Sequence, residues 1–249
     1  MSLKTILVSQ PKPEGEKSPY FDLAEKYDLK IDFRKFITVV GLTTREFRDQ
    51  KVDLSMHTAV ILTSKTSVDH FFRMAEETRF KISEALKYFC MSEAVAYYLQ
   101  KYVIYRKRKI FYGKTNIDDL MVLLKKHKNE NYLLPCSDIL RQRIPDALEA
   151  NNIRYSKAVM YRTVAADLSD LNDVKYDLLV FFSPSGIKSL FKNFPDFKQD
   201  KTMIAAFGPT TANAVKDHDL ELNIHAPLPK YPSMTMAIED YIKTAKKKK

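Results

Sequence analysis

Two stretches of this chain share one pattern: Ala59-Val-Ile-Leu-Thr63-Ser64-Lys-Thr-Ser-Val68 and Leu179-Val-Phe-Phe-Ser183-Pro184-Ser-Gly-Ile-Lys188. Each begins with a short apolar run that is typical of a buried strand, and each continues through a turn rich in hydroxyl groups. Helical periodicity follows; from Ser67 to Glu77 it places one apolar face at Val68, Phe71, Phe72 and Ala75. The pattern predicts a strand, a turn and a helix, which is the unit of an α/β fold.

The similarity continues along the chain. Phe89-Cys90-Met-Ser-Glu-Ala-Val-Ala96 aligns with Phe207-Gly208-Pro-Thr-Thr-Ala-Asn-Ala214, at similar distances behind the first turns. A third pair aligns Ile6 to Gln10 with Tyr132 to Cys136, the latter followed by a predicted helix near Arg141 to Ala150. Any α/β protein shows single matches of this kind by chance, but three in the same order favour two related halves built around parallel sheets.

The order of the pairs predicts a discontinuous domain. The Ile6 strand comes before the unit at Thr63, and the matching strand at Tyr132 comes before the unit at Ser183. This order indicates that the two halves exchange their first strand and helix, so that the Ile6 strand belongs with the C-terminal half. We therefore predict that residues 1–37 plus 167–245 form domain 1 and that residues 41–162 form domain 2. Crossovers are expected near 37–43 and 163–168, and residues 246–249 are expected to be a disordered lysine tail.

Local signals fix several elements near the N-terminus. Thr5 to Val8 is predicted as a strand and Ser18 to Tyr27 as a helix, with Ser18 as its N-cap and Pro19 at its first position. Ile31 to Val39 is predicted as one extended segment, and Thr58 to Leu62 as a buried strand.

Charge restricts the partners. The net charge is +10, of which Lys246 to Lys249 supply four charges, and basic runs occur at 101–109 and 125–128. Such a surface attracts polyanions, either nucleic acid or a small molecule with several carboxylates.

Cysteine use and hydropathy indicate a compartment. Cys90 and Cys136 are the only cysteines and form no CxxC pair, which favours a reducing environment. The N-terminus has no signal-peptide pattern, and apolar runs such as 59–62 and 178–182 are too short to span a bilayer. We expect a cytoplasmic protein with no membrane contact.

The sequence motifs of several common enzyme and nucleotide-binding classes are absent. There is no GxGxxG, GxxxxGK[ST], HExxH or GxSxG motif. The five histidines are scattered without metal-ligand spacing, so surface or core roles are favoured for them over metal binding. We expect neither a cofactor nor a metal.

Hydroxyl-bearing turns are the recurring polar feature. They lie at Thr63-Ser64, at Ser183-Pro184-Ser185-Gly186 and at Gly208-Pro209-Thr210-Thr211. Ligands of open α/β sheets bind beyond the carboxyl ends of the strands, where helix N-termini favour anions. Capping explains any one such turn equally well, but three turns and a basic surface favour a ligand with several acidic groups.

These turns carry a resemblance to the uroporphyrinogen-III synthase family. The residues concerned are Phe181-Phe-Ser-Pro-Ser-Gly186, Phe207-Gly-Pro-Thr-Thr-Ala-Asn-Ala214, Leu134-Pro-Cys-Ser, Val159-Met-Tyr161-Arg-Thr163 and Leu62-Thr-Ser64, spread over most of the chain in the family's order. The chain departs from the family at Cys90-Met91, where a glycine turn is common, and at Ser9-Gln10-Pro11, which replaces Thr-Arg-Pro.

The resemblance implies two α/β domains joined by two connecting strands, with the active site in the cleft between the domains. It also implies the reaction: hydroxymethylbilane, which carries an acetate and a propionate on each pyrrole ring, is closed to uroporphyrinogen III with loss of water and inversion of ring D. Tyr161 resembles the family's candidate for assisting departure of the hydroxyl, although a tyrosine beside a domain crossover can equally be a packing residue. The substrate carboxylates are assigned to Thr63, Ser64, Ser183, Pro184, Ser185, Gly186, Pro209, Thr210 and Thr211.

Two other functions remain open on the residues alone. A non-catalytic module of the same fold could bind a polyanion or nucleic acid, and Tyr102 and Tyr105 within the basic run 101–109 favour it. A periplasmic-type binding protein shares the two-domain design, but the sequence shows no export signal. The family resemblance favours a monomeric lyase that does not bind nucleic acid.

Overall fold

The computed structural model describes residues 3–140, 142–171 and 175–247. The chain divides into two compact units: Met1–Thr38 with Val164–Lys249 form the first, and Val39–Thr163 form the second. The chain therefore leaves the first unit and returns to it, so the second unit is inserted in the first. Residues 246–247 of the predicted disordered lysine tail belong to the last helix instead, whereas residues 248–249 of that tail and Arg141 of the predicted helix lie outside the described residues.

The elements follow in chain order. The strands are β1 Thr5–Val8, β2 Lys30–Phe33, β3 Ile37–Gly41, β4 Ala59–Leu62, β5 Lys87–Cys90, β6 Ile110–Tyr112, β7 Tyr132–Ser137, β8 Tyr155–Ala165, β9 Leu178–Phe181, β10 Met203–Phe207 and β11 Ile224–Ala226. The helices are α1 Pro19–Tyr27, α2 Thr44–Asp49, α3 Lys65–Glu77, α4 Glu93–Leu99, α5 Ile117–Lys126, α6 Arg143–Ala150, α7 Pro184–Asn193, α8 Pro209–Asp217 and α9 Met234–Lys247.

The two sheets have the same strand order. In the first unit it is β11-β10-β9-β1-β2, and in the second it is β6-β5-β4-β7-β8, with β3 beyond β8. Neighbouring strands within both five-strand series run parallel. The aligned sequence pairs occupy equivalent places, since β9 corresponds to β4, β10 to β5 and β1 to β7. The predicted fold class, two similar α/β halves with parallel sheets, is confirmed.

Each sheet is buried on both faces. In the second unit, α2, α3 and α4 cover one face and α5 and α6 the other. In the first unit, α1 and α9 cover one face and α7 and α8 the other. This double cover explains why the central strands β4 and β9 are continuous apolar runs, buried at every position, rather than alternating ones.

Local capping signals fix the start of α1. Ser18 has extended backbone angles, its side chain accepts a hydrogen bond from the Tyr20 amide, and Pro19 occupies the first turn. The predicted N-cap and first residue of this helix are therefore confirmed.

Two predicted boundaries are wrong. Ile31 to Val39 is not one extended segment, because residues 34–36 separate β2 from β3. Phe36 is buried there, and its carbonyl accepts hydrogen bonds from the Ala166 amide and the Ser189 hydroxyl. The helix predicted to begin at Ser67 begins at Lys65 instead, because Ser64 is its N-cap.

Candidate active site

The carboxyl ends of parallel strands bring the predicted residues of the second unit together. Leu62 at the end of β4 pairs with Cys90 at the end of β5, and Ser137 at the end of β7 pairs with Tyr161 in β8. Thr63 and Ser64 follow β4 directly. Because the strands are parallel, their carboxyl ends share one edge of the sheet, where ligands of such sheets bind.

A cavity of about 450 Å³ opens at this edge. Three residues predicted from the sequence line it: Thr63, Ser64 and Tyr161. The other lining residues were not predicted as site residues; they are Met91, Thr115, Asn116, Ile117, Cys136, Ser137, Ile139, Leu140, Arg143 and Ile144. Cys136 and Ser137 belong to the Leu134-Pro-Cys-Ser motif, but Arg143 carries no local signal that separates it from other basic residues.

In the turn before α3, the backbone N–H groups donate to hydroxyl groups of the same turn. The amides of Thr63 and Ser64 both donate to the Ser67 hydroxyl oxygen at 3.0 Å, and that hydroxyl donates to the Ser64 carbonyl at 2.7 Å. The Ser67 amide in turn donates to the Ser64 hydroxyl oxygen at 3.1 Å. Thr63 and Ser64 can therefore offer a ligand their hydroxyl groups but not their amides.

Ser67 is expected to hold this turn in shape. It is fully buried, and Ser67→Ala would remove the acceptor of two part-buried amides. We expect the free energy of unfolding to fall by about 1–3 kcal/mol, measured by urea unfolding, because buried unpaired donors lose their water without compensation. The control is Ser83→Ala, which removes an exposed acceptor of the Ala85 amide and should cost under about 0.5 kcal/mol. Equal losses in the two variants would contradict the prediction.

Tyr161 is a buried tyrosine at this edge. Its side chain is only 8% exposed. Burial raises the pKa of Tyr161 above its ordinary value of 10.0, while a hydrogen bond with the Ser64 side chain acts in the opposite direction. The phenol is therefore protonated at neutral pH and can donate a hydrogen bond or a proton. Its ring stacks on the ring of His70, with a centroid distance of 4.8 Å and an interplanar angle of 17°.

The first unit has two helix N-termini at the carboxyl ends of adjacent strands. β9 leads into α7 and β10 leads into α8, and these strands pair from Leu178 with Met203 to Phe181 with Ala206. The remaining predicted residues all lie at these two turns; they are Ser183, Pro184, Ser185, Gly186, Pro209, Thr210 and Thr211.

At α7 the Ser183 side chain acts as the N-cap and satisfies one amide of the first turn. The Ser183 hydroxyl oxygen accepts the Gly186 amide at 3.3 Å, and Pro184 has no amide hydrogen to donate. A Cβ at Gly186 would lie 3.3 Å from the Phe181 ring, so glycine lets this turn approach the core closely. Ser185 therefore supplies the remaining amide of this first turn.

At α8 no side chain caps the first turn of the helix. The N-cap residue, Gly208, has φ 86° and ψ 152°, a conformation that is restricted to glycine, and it provides no side-chain cap. Pro209 occupies the first position, and within the described chain the amides of Thr210 and Thr211 have no hydrogen-bond acceptor. Thr210 is exposed, whereas Thr211 is only 1% exposed. Of the two helices, α8 is thus the better placed to receive an anion.

The basic run at 101–109 contains two tyrosines, Tyr102 and Tyr105, of which Tyr102 packs on another ring. The run follows α4 as turns and irregular chain. Lys65 and Lys101 lie against the ring of Tyr98, and Phe72 stacks on the ring of Tyr102 at 4.3 Å. Nucleic-acid binding proteins use exposed aromatic faces as stacking platforms; one face of Tyr102 is covered in this way, whereas Tyr105 is exposed.

A second cavity lies away from the candidate residues. It measures about 1210 Å³ and is lined by residues 175–177 and 193–202, which lie at the amino ends of β9 and β10. Parallel sheets bind ligands at the opposite edge, so we do not assign the site there.

The described residues form neither a metal-binding cluster nor a membrane-spanning helix. Within 3–140, 142–171 and 175–247, no group of three His, Cys, Asp or Glu side chains could hold a metal ion. None of the described helices is long and apolar enough to cross a membrane.

Fold and site together define a two-domain α/β protein whose sheets share one topology and carry hydroxyl-rich helix starts at their carboxyl edges. The family model described as uroporphyrinogen-III synthase HemD matches residues 23–236. The chain belongs to this family of enzymes, and the resemblance seen in the sequence is confirmed.

Individual relatives agree with this assignment. The chain is 29% identical over 139 residues to uroporphyrinogen-III synthase of Saccharomyces cerevisiae, a match that spans 50% of each protein. The chain thus spans about half the length of this curated relative. The fold resembles the crystal structure of uroporphyrinogen-III synthetase from Helicobacter pylori, with TM-score 0.58, 18% identity, and coverage of 97% of this chain and 100% of that one. A mutant Thermus thermophilus uroporphyrinogen III synthase gives TM-score 0.50 at 13% identity, covering 98% and 99%.

Proposed function

We propose that this protein is a uroporphyrinogen-III synthase, a lyase that converts hydroxymethylbilane to uroporphyrinogen III and water without a cofactor. The observation that carries the proposal is the convergence of Tyr161, Ser64 and Thr63 on one cavity in a chain that belongs to the synthase family. We further propose that it acts as a cytoplasmic monomer and does not bind nucleic acid.

The chemistry begins at the terminal hydroxyl of ring A. Tyr161 donates a proton to this hydroxyl, the carbon–oxygen bond breaks, and water leaves with the bonding electron pair. The resulting azafulvenium cation is attacked by the substituted carbon of ring D, which gives a spirocyclic intermediate. This intermediate fragments and recloses with ring D inverted, and loss of one carbon-bound proton restores the aromatic pyrrole and balances the proton taken from the acid.

Positioning is expected to contribute more than acid strength. Electron-rich pyrroles expel the hydroxyl readily, so the enzyme must chiefly decide which carbon of ring D attacks. The substrate carboxylates are assigned to Thr63 and Ser64 in the second unit and to Ser183, Pro184, Ser185, Gly186, Pro209, Thr210 and Thr211 in the first. At Ser185, Thr210 and Thr211 the main-chain amides can contribute as much as the side chains, because none of them is used by a cap.

Product analysis tests the proposal directly. Hydroxymethylbilane is generated in situ, the protein is added, and the oxidised products are separated by chromatography. We expect uroporphyrin III in proportion to the protein added, against isomer I alone in the blank. Isomer I alone with the protein present would overturn the synthase function and leave a binding module of the same fold. Binding of nucleic acid by that module would weaken steeply with salt.

A further inference from the structure

The Arg73 side chain connects α3 to the chain segments beside Tyr161. One terminal nitrogen of its guanidinium donates to the carbonyls of Leu42 and Met160, both at 3.0 Å. The other terminal nitrogen pairs with the Glu77 carboxylate at 2.7 and 2.8 Å. Because Met160 immediately precedes Tyr161, Arg73 fixes the backbone from which the candidate acid projects.

Position 41 leaves room for this guanidinium. A Cβ at Gly41 would lie 2.6 Å from both the central carbon and one terminal nitrogen of Arg73, which is closer than real Cβ contacts. Gly41 ends β3, and the Leu42 carbonyl that accepts from Arg73 is in the next residue. Glycine at this position is thus explained by the close approach of the Arg73 side chain.

Arg73 also orients His70. Its Nε donates to His70 Nδ1 at 3.2 Å, and a guanidinium can only donate, so Nδ1 is the acceptor and the neutral ring carries its proton on Nε2. Burial and then the Arg73 charge lower the pKa of His70, against smaller opposing effects of Asp69 and Glu77. The imidazole is therefore neutral at pH 7, and this neutral ring stacks on Tyr161.

We propose that His70 and Arg73 are positioning residues for the ring-closing reaction, fixing the plane of the Tyr161 ring and the backbone that carries it. The proposal rests on the function proposed above. Tyr161 is then held at two points: its ring face by His70 and the preceding carbonyl by Arg73. Neither His70 nor Arg73 lines the cavity, so neither needs to touch the substrate.

The proposal predicts a specific kinetic pattern. A productive acid must lie within about 0.5 Å of its working position, and larger displacements cost about ten- to a hundredfold in rate. His70→Ala should lower kcat by about tenfold and leave KM within about twofold, because substrate contacts are unchanged. His70→Phe keeps a flat ring against Tyr161 and should recover most of the lost kcat.

Variants at Arg73 and Gly41 provide a second kinetic test. Arg73→Met removes the contacts with Leu42, Met160 and His70, and should lower kcat by at least as much as His70→Ala. Gly41→Ala should act in the same direction, because its Cβ displaces the guanidinium. The control is His127→Ala, which removes a histidine of the same unit that lies against Phe111, with ring centroids 4.6 Å apart, and does not line the cavity. It should leave kcat unchanged.

Fluorine NMR of the protein with 3-fluorotyrosine at position 161 provides a measurement that does not depend on activity. His70→Ala should shift the resonance, because the ring current of the stacked imidazole is lost, and His127→Ala should not shift it. An unshifted resonance in His70→Ala would overturn the proposal even if no variant could be assayed.

The kinetic outcomes separate the two proposals. If the unaltered protein yields only isomer I, the synthase function fails and the positioning role falls with it, whatever the NMR shows. If the unaltered protein yields isomer III and His70→Ala retains full kcat, only the positioning role fails. Equal losses in His70→Ala and His70→Phe would also overturn it, since a ring face at position 70 would then be irrelevant.

Discussion

Replacing Tyr161 with phenylalanine is expected to lower kcat for uroporphyrinogen III formation by about 10²-fold, near the lower end for loss of a general acid. The lower end is expected because the leaving hydroxyl departs readily from an electron-rich pyrrole. The ring and its stacking on His70 are retained, so KM should stay within about twofold. Steady-state rates and isomer ratios, measured with hydroxymethylbilane generated in situ, provide the test.

The pH dependence gives this prediction a second criterion. Burial raises the pKa of Tyr161 above 10.0, so the acid form persists as pH rises and is lost only above that value. The rate of the unaltered protein should therefore show no loss attributable to Tyr161 between pH 6 and pH 9.

Tyr155→Phe is the matched control. Tyr155 lies in the same strand, its hydroxyl donates to Glu149 at 2.9 Å, and it does not line the cavity. Its loss should leave kcat unchanged. If Tyr161→Phe is as active as Tyr155→Phe, Tyr161 is a packing residue, and the acid of the reaction must be sought elsewhere.

Phe181→Ala is expected to lower the free energy of unfolding of the first unit by about 3–5 kcal/mol, the range for truncating a buried aromatic residue. Phe181 is fully buried, and its ring meets Phe36 edge to face at 5.7 Å. It also lies directly against Gly186. Truncation therefore opens a cavity beneath the α7 turn that the core cannot readily fill.

Urea unfolding followed by circular dichroism measures this loss, because the chain contains no tryptophan. If the two units unfold separately, only the transition of the first unit should move. The control is Phe182→Ala, the next residue, which is half-buried and lies 5.8 Å from the Phe207 ring. It should cost clearly less, and an equal cost would show that burial at position 181 is not the cause.

The sequence predicted those features that depend on neighbouring residues. Ser18 and Pro19 mark the start of α1 through capping chemistry alone, and apolar runs reveal β4 and β9 because both faces of each strand are buried. The equivalent turns at Thr63 and Ser183 were visible because the two halves repeat the same topology. Local chemistry and the internal repeat together therefore sufficed for the fold class.

Features that depend on distant residues could not be predicted. β2 and β3 belong to different sheets, and Phe36 between them is buried and bonds to Ala166 and Ser189, which no local pattern shows. No sequence pattern marked His70 as a site residue, because Tyr161, whose ring it contacts, lies far along the chain from it. The hydrogen bonds from the Thr63 and Ser64 amides to the Ser67 hydroxyl oxygen could not be predicted either, because a hydroxyl at that position is compatible with many cap geometries.

The position of β1 in its sheet has a consequence during synthesis on the ribosome. β1 lies between β9 and β2, and the backbone amide of Thr5 donates to Asp177, which is 172 residues further along the chain. At about 5–20 residues per second, β1 waits roughly 10–35 s for this partner. The second unit is continuous and can fold within that interval, whereas the apolar Ile6, Leu7 and Val8 remain without their sheet. Chaperone dependence of the nascent chain should therefore arise from its first forty or so residues.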